Sequence, residues 1–82
     1  MIYAFVVHIG RKAGLSDPEG TTTGKALRDL GFRGVGNVAF GRTITLEIDA
    51  DSQDAARIKV DEMCQKLLAN PVMEHYTIEA VS

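Results

Sequence analysis

The chain has few of the residues from which catalytic and metal-binding sites are usually built. Its 82 residues include one cysteine, Cys64, and two histidines, His8 and His75. A lone cysteine forms no disulfide within the chain and no thiolate cluster around a metal ion. We therefore expect no metal site, ordinary structural roles for both histidines, and a buried, unreactive thiol at Cys64.

Long hydrophobic runs and an excess of one charge are also missing. No apolar run approaches the roughly 20 residues that span a bilayer, and the first residues lack the basic region of a signal peptide. Nine lysines and arginines against eleven acidic residues give a net charge of −2. This balance gives no reason to expect nucleic acid or an anionic membrane as a partner. We expect one cytoplasmic domain spanning residues 1–82.

The first half of the chain predicts a strand followed by a helix. Residues 2–9 are rich in β-branched and aromatic side chains on both faces, which is typical of a central strand. Asp17 and Pro18 predict the start of a helix, and Gly31 predicts its end. The apolar stripe of this helix is expected to face inward. Its members are Thr23, Ala26, Leu27 and Leu30.

The second half predicts a hairpin, a longer helix and a last strand. A short strand over 35–40, a turn at Gly41–Arg42 and an alternating strand over 43–49 form the hairpin. Residues 49–52 supply caps for the second helix, and Asn70 in left-handed geometry with Pro71 ends it. A strand over 75–81 follows. The inward stripe of the second helix is Ala56, Val60, Met63, Cys64, Leu67 and Leu68.

This order predicts an α+β fold of the ferredoxin-like type, β-α-β-β-α-β. It would have a four-stranded antiparallel sheet with two helices on one face. The face without helices would be apolar at its centre and mixed around it, and we expect a small chain to self-associate through it.

Two motifs resemble catalytic loops without matching them. The segment from Gly20 to Lys25 is one residue too short for a phosphate-binding P-loop, and Ala26 occupies the place of the required hydroxyl. We expect the two glycines, four apart on one helix face, to allow close packing of the helix on the sheet instead. Arg33 to Asn37 has part of the composition of an acylphosphatase loop in the wrong order, so an enzyme remains only a weak alternative.

Nearly the whole chain resembles the PurS family, the small subunit of phosphoribosylformylglycinamidine synthase (formylglycinamide ribonucleotide amidotransferase). The segment from Cys64 to Tyr76 is the most specific part of the resemblance. The other matching segments are Asp17–Gly20, Ala26 with Leu27, Leu30 to Phe32, Val35, Val38 and Gly41 with Arg42.

The resemblance implies a non-catalytic subunit of an ATP-dependent ligase complex in purine biosynthesis. Such a subunit joins a synthetase (PurL-type) and a glutaminase (PurQ-type) subunit, helps to keep the ammonia path closed, and forms a homodimer or homotetramer. The resemblance implies no cofactor in this subunit; ATP and magnesium serve the complex. The alternative function is a small-ligand regulatory module of the same fold.

Five residues are our candidates for contact with partners. Arg11, Lys12 and Arg42 form a basic rim in loops, and Ile58 lies on the side of the second helix opposite its apolar stripe. His75 stands where the family commonly has an aspartate, and Ala39 stands where it commonly has an arginine. A partner that touches either position would need a different pairing charge.

Overall fold

The computed structural model describes residues 1–81; Ser82, the last residue of the predicted domain, lies outside the described residues. In chain order the elements are β1 (Ile2–Arg11), α1 (Pro18–Asp29), β2 (Gly41–Asp49), α2 (Gln53–Met63), a π-helical turn (Cys64–Leu68) and β3 (Glu74–Val81). The sheet has three strands in the order β2-β1-β3, and β1 is antiparallel to both neighbours. The central position of β1 is confirmed.

The predicted four-stranded ferredoxin-like sheet is wrong, because residues 35–40 form no strand. They run extended beside α1, where the carbonyls of Val35 and Gly36 accept from the Arg28 guanidinium. The predicted turn at Gly41–Arg42 is also wrong, because these two residues open β2 and Gly41 pairs with Gly10. A strand needs a neighbouring edge as well as β-prone residues, and this segment has α1 beside it instead.

The core lies between one face of the sheet and α2. Phe5 and Val7 of β1 are fully buried against Val60 and Cys64, so the buried role predicted for Cys64 is confirmed. Burial raises the pKa of this thiol, with a smaller contribution from the nearby Asp61 carboxylate. The thiolate is therefore disfavoured, which agrees with an unreactive side chain.

The first helix was predicted to cover one face of the sheet, and this prediction is wrong. α1 makes almost no contact with the strands. The molecule measures 51 × 27 × 13 Å. A ten-residue strand is about 33 Å long and a twelve-residue helix about 18 Å, so the long dimension matches a sheet and a helix placed end to end. Of the predicted inward stripe, Ala26 and Leu30 are exposed, and Thr23 and Leu27 are half-buried.

The end of the second helix also departs from the prediction. The Ala69 N–H donates to the carbonyl of Cys64, five residues back, which is the bond of a π-helical turn. The extra residue carries Leu67 to the surface, where it is 83% exposed, and leaves Leu68 half-buried. Met63 is also exposed. Asn70 is not left-handed, because no residue other than glycine has a positive φ within 1–81.

Candidate partner-binding surfaces

One end of the sheet is held together by Arg42. Its guanidinium crosses the end of β1 from β2 and binds the Glu74 carboxylate on β3 with two nitrogens, one of them 3.0 Å from Oε1. It also donates to the carbonyl of Leu68 at 2.7 Å. Arg42 is therefore committed to contacts within the chain, although it was predicted as part of a docking rim.

Glu74 gains a third contact from the chain before it. The Asn70 N–H donates to Oε1 at 2.8 Å. The Arg42 hydrogen bond and then this backbone N–H lower the pKa of Glu74 from 4.5 to about 2. The same pair raises the pKa of Arg42. Both groups are charged at neutral pH, and together they connect β2, β3 and the end of the π-helical turn.

The other two members of the predicted rim differ in their surroundings. Lys12 is tied to the turn before β3: its Nζ donates to the Pro71 carbonyl at 2.7 Å and its N–H to the Met73 carbonyl at 3.0 Å. Arg11 is exposed and lines a cleft of about 410 Å³ between the sheet end and the start of α1. The cleft is also lined by Gly10, Asp17, Pro18, Glu19, Phe40, Gly41, Arg42 and Glu74. Arg11 is thus the rim residue most available to a partner.

Asp17 stabilises the start of α1 and the end of the extended segment together. Its carboxylate accepts from the N–H of Gly20 at 3.0 Å and from the N–H of Phe40 at 2.8 Å. These two backbone bonds, the one from Phe40 being the stronger, lower the pKa of Asp17. The predicted N-cap is confirmed, and it also joins α1 to the chain that enters β2.

The two glycines that imitate a phosphate loop are packing positions. A Cβ added to Gly20 would lie 2.1 Å from the Val38 carbonyl oxygen, and one added to Gly24 would lie 3.4 Å from a Val38 methyl. The predicted close packing is therefore present, but its partner is the extended segment and not the sheet.

His75 and His8 lie near one another on the helix-free face of the sheet. The His75 ring covers Gly10, where an added Cβ would lie 3.1 Å from Cε1, and His8 Nε2 is 3.5 Å from a Glu79 oxygen. Thr43 and Thr77 complete a shallow pocket of about 370 Å³ with them. No group of three metal-ligating side chains occurs in residues 1–81.

The helix-free face carries threonines and charged side chains around its centre, which is the mixed composition that was predicted. Val6 lies between Thr45 and Glu79 and is only half-buried. On the outer side of α2, Ile58 is 62% exposed, as its position opposite the buried stripe predicted. Neither helix in the described part of the chain has the length and apolar character to span a bilayer.

Several exposed apolar side chains were missed as surface candidates. Leu30 and Phe32 lie at the end of α1, and Leu67 and Val72 flank the turn before β3. Sequence periodicity assigned Leu30 and Leu67 to inward stripes, so they were not considered as surface residues. Their exposure follows from the detached position of α1 and from the π-helical turn, and neither feature has a strong sequence signal.

These features define a small α+β protein whose polar side chains bind one another and whose surface carries exposed apolar groups. The family model for PurS, phosphoribosylformylglycinamidine (FGAM) synthase, matches residues 4–82, and the chain belongs to the PurS family. It is 47% identical to the synthase subunit PurS of Archaeoglobus fulgidus over 72 residues, 88% of this chain and 90% of the relative.

Solved structures are similar over almost the full length. The PurS of Methanocaldococcus jannaschii, one of the subunits of formylglycinamide ribonucleotide amidotransferase, has a TM-score of 0.86 and 39% identity and covers 98% of this chain and 96% of its own. A chain in the structure of PurLQS from Thermotoga maritima has a TM-score of 0.92 and 28% identity and covers 99% of both chains. The α+β fold is shared with these neighbours.

Proposed function

We propose that this chain is the non-catalytic assembly subunit of phosphoribosylformylglycinamidine synthase in de novo purine biosynthesis. The observation that carries this proposal is its similarity, over 99% of its length, to a chain in the PurLQS structure. In the proposal it joins a synthetase subunit of the PurL type and a glutaminase subunit of the PurQ type in the cytoplasm. It forms a homodimer or homotetramer and takes no part in bond making.

The proposed contribution to the reaction is to keep ammonia away from water. The glutaminase releases ammonia, and the synthetase consumes it with ATP and magnesium, which this subunit does not bind. Free ammonia that reached bulk water would be protonated and lost as a nucleophile. Enclosing its path requires contact area and shape. The exposed apolar groups at Leu67 and Val72 are suited to such contacts.

Reconstitution tests the function directly. The synthetase and glutaminase subunits are assayed with and without this chain, with either glutamine or an ammonium salt as the nitrogen donor. We expect glutamine-driven amidine formation to require the chain and ammonium-driven formation to proceed without it. Equal glutamine-driven rates in its absence would overturn the proposal.

Arg11 is the rim position at which docking can be tested with the least change within the chain, because its charge acts on the nearby Asp17 and Glu74 carboxylates only through space. Arg11→Glu reverses an exposed charge, whereas Lys12 and Arg42 hold contacts within the chain. We expect Arg11→Glu to reduce co-purification with the synthetase, and the exposed Arg33→Glu to serve as the matched control. Unchanged co-purification of Arg11→Glu would remove the rim from the docking surface.

A further inference from the structure

The last turn of the second helix contains one residue more than an α-helical turn. The chain is α-helical to Met63, and the Ala69 N–H then donates to the Cys64 carbonyl, five residues back instead of four. In this π register Leu67 is 83% exposed, whereas Leu68 is half-buried. π-helical turns are rare and occur frequently at functional sites, so the cause of this one matters for function.

The amino-acid sequence of this turn also fits an α register. Leu67 follows Val60 by seven residues, and seven α-helical steps bring a side chain to within about 20° of its starting direction. Val60 and Cys64 are fully buried. An uninterrupted α-helix would therefore turn Leu67 toward the core, beside these two residues. The π register leaves on the surface a leucine that an α register would bury.

Polar contacts of Arg42 and Glu74 favour the π register. The Arg42 guanidinium donates to the Leu68 carbonyl at 2.7 Å, and a Glu74 carboxylate oxygen accepts from the Asn70 N–H at 2.8 Å. An α register would turn the Leu68 carbonyl by about 100° around the helix axis, away from Arg42. Hydrogen bonds to charged groups and the burial of a leucine have comparable free energies, so two such bonds can offset one exposed leucine.

The neighbouring contacts confine a change of register to residues 66–73. Before this stretch, the Asp61 carboxylate accepts from Gln65 Nε2 at 2.8 Å and from the Tyr76 hydroxyl at 2.5 Å, which fixes the helix as far as Gln65. After it, β3 is fixed by its pairing with β1. Residues 70–73 lie between these points in an exposed turn, which can take up one residue displaced from the helix.

We infer that Arg42, acting with Glu74, is a positioning residue that selects the π register of residues 64–69 and thereby holds Leu67 on the surface. Without the ion pair the same segment takes the α register, in which Leu67 packs beside Val60. The segment is thus a two-state element whose state decides whether one leucine is exposed. Only the π register offers Leu67 to another subunit, and this last step rests on the proposed function.

NMR scalar couplings across hydrogen bonds report the register of the isolated chain. In the native chain we expect a coupling between the Ala69 nitrogen and the Cys64 carbonyl carbon. In Arg42→Ala we expect it to be replaced by a coupling of Ala69 with Gln65, the α-helical partner four residues back. Arg11→Ala, at an exposed site in the same cleft, is the control and should keep the native coupling. Persistence of the native coupling in Arg42→Ala, or loss of both couplings, would overturn the inference.

The exposure of the Leu67 methyl groups is an independent measurement. A soluble paramagnetic agent enhances the relaxation of leucine and valine methyl groups according to their access to solvent. In the native chain we expect Leu67 to relax like the exposed Val72, and in Arg42→Ala several-fold more slowly, toward the rate of the buried Val60. General loosening of the fold would instead raise the relaxation rates of Leu67 and Val60 together. An unchanged or increased rate at Leu67 in Arg42→Ala would refute the inference.

Two further variants keep the test conclusive where Arg42→Ala folds poorly. Arg42→Lys retains the charge, and we expect it to lower the relaxation rate of Leu67 by a smaller factor. Deletion of Lys66 removes the extra residue, so an α-helical turn can then leave Leu68 and Asn70 in contact with the ion pair. In that background Arg42→Lys should no longer affect Leu67, and an equal effect would exclude the register as the cause. All these measurements use the chain alone, so their failure is separate from failure of the reconstituted synthase assay.

Discussion

Arg42 of β2 and Glu74 of β3 form a two-pronged ion pair that bridges the end of the central strand. The same guanidinium reaches the Leu68 carbonyl, and the same carboxylate accepts from the Asn70 N–H. The pair thereby fixes where the π-helical turn ends relative to both edge strands. We call this ion pair the Arg42–Glu74 clamp. Arg11 lies at the same end of the sheet, so the clamp holds the strand ends that carry the candidate docking surface.

The clamp should make stability depend on pH in the acid range. The folded pKa of Glu74 is about 2 and its ordinary value is 4.5, so its stabilising contribution is complete above pH 4.5 and disappears as the pH falls toward 2. Glu74→Gln should melt at a lower temperature than the native chain at pH 7. The difference between the two melting temperatures should be smaller at pH 3. Thermal melting at both pH values measures this. Glu62→Gln, at an exposed site on α2, is the control. The same difference in melting temperature between Glu74→Gln and the native chain at both pH values would contradict the prediction.

We predict that lysine at position 42 stabilises the fold less than Arg42 does. A planar guanidinium can bind two carboxylate oxygens and a carbonyl together, which a single ammonium group does less well. We expect Arg42→Lys to lower the melting temperature by a few degrees at pH 7, and Arg11→Lys, at an exposed site, to leave it unchanged. Equal melting of the two variants would show that the clamp contributes nothing to the fold.

The sequence revealed the elements whose signals are local. Asp17, followed by Pro18, marks the start of one helix, and Ser52 marks the start of the other. The side chains of Asp17 and Ser52 each accept a hydrogen bond from the backbone N–H three residues later, so both caps form as predicted. Alternation from Ile44 to Ile48 depends only on the period of a strand, and it places these side chains on the core face. Such features need no knowledge of distant parts of the chain.

The errors arose where distant contacts decide the structure. Residues 35–40 have the composition of a strand, but their neighbour is α1, a pairing made possible by Gly20. Periodicity placed Leu67 inward because it assumes 3.6 residues per turn, and the π-helical turn breaks that period. The role of Arg42 was hidden for the same reason, since Glu74 is 32 residues away.

Gly20 should be the glycine of α1 that is most sensitive to a single added methyl group. Alanine at a helix position normally gains roughly 1 kcal/mol over glycine. Here its Cβ would lie 2.1 Å from the backbone oxygen of Val38, so the extended segment would have to move. We expect Gly20→Ala to lower the melting temperature and increase amide exchange in residues 35–40. Gly36→Ala, which has open space around it, is the control, and equal behaviour of both would exclude the close approach.

Truncation to alanine should cost much more stability on the buried side of α2 than on its exposed side. Val60 is fully buried beneath the sheet face, so Val60→Ala removes two buried methyl groups and leaves a small cavity. The cost is about 2 kcal/mol, which for a domain of this size lowers the melting temperature by roughly 8–16 °C. Ile58→Ala deletes more atoms from a side chain that is 62% exposed and should change stability by less than about 0.5 kcal/mol. Because the two residues are neighbours on one helix, helix propensity affects both variants alike. Comparable losses of stability in the two variants would contradict the buried and exposed sides assigned to α2.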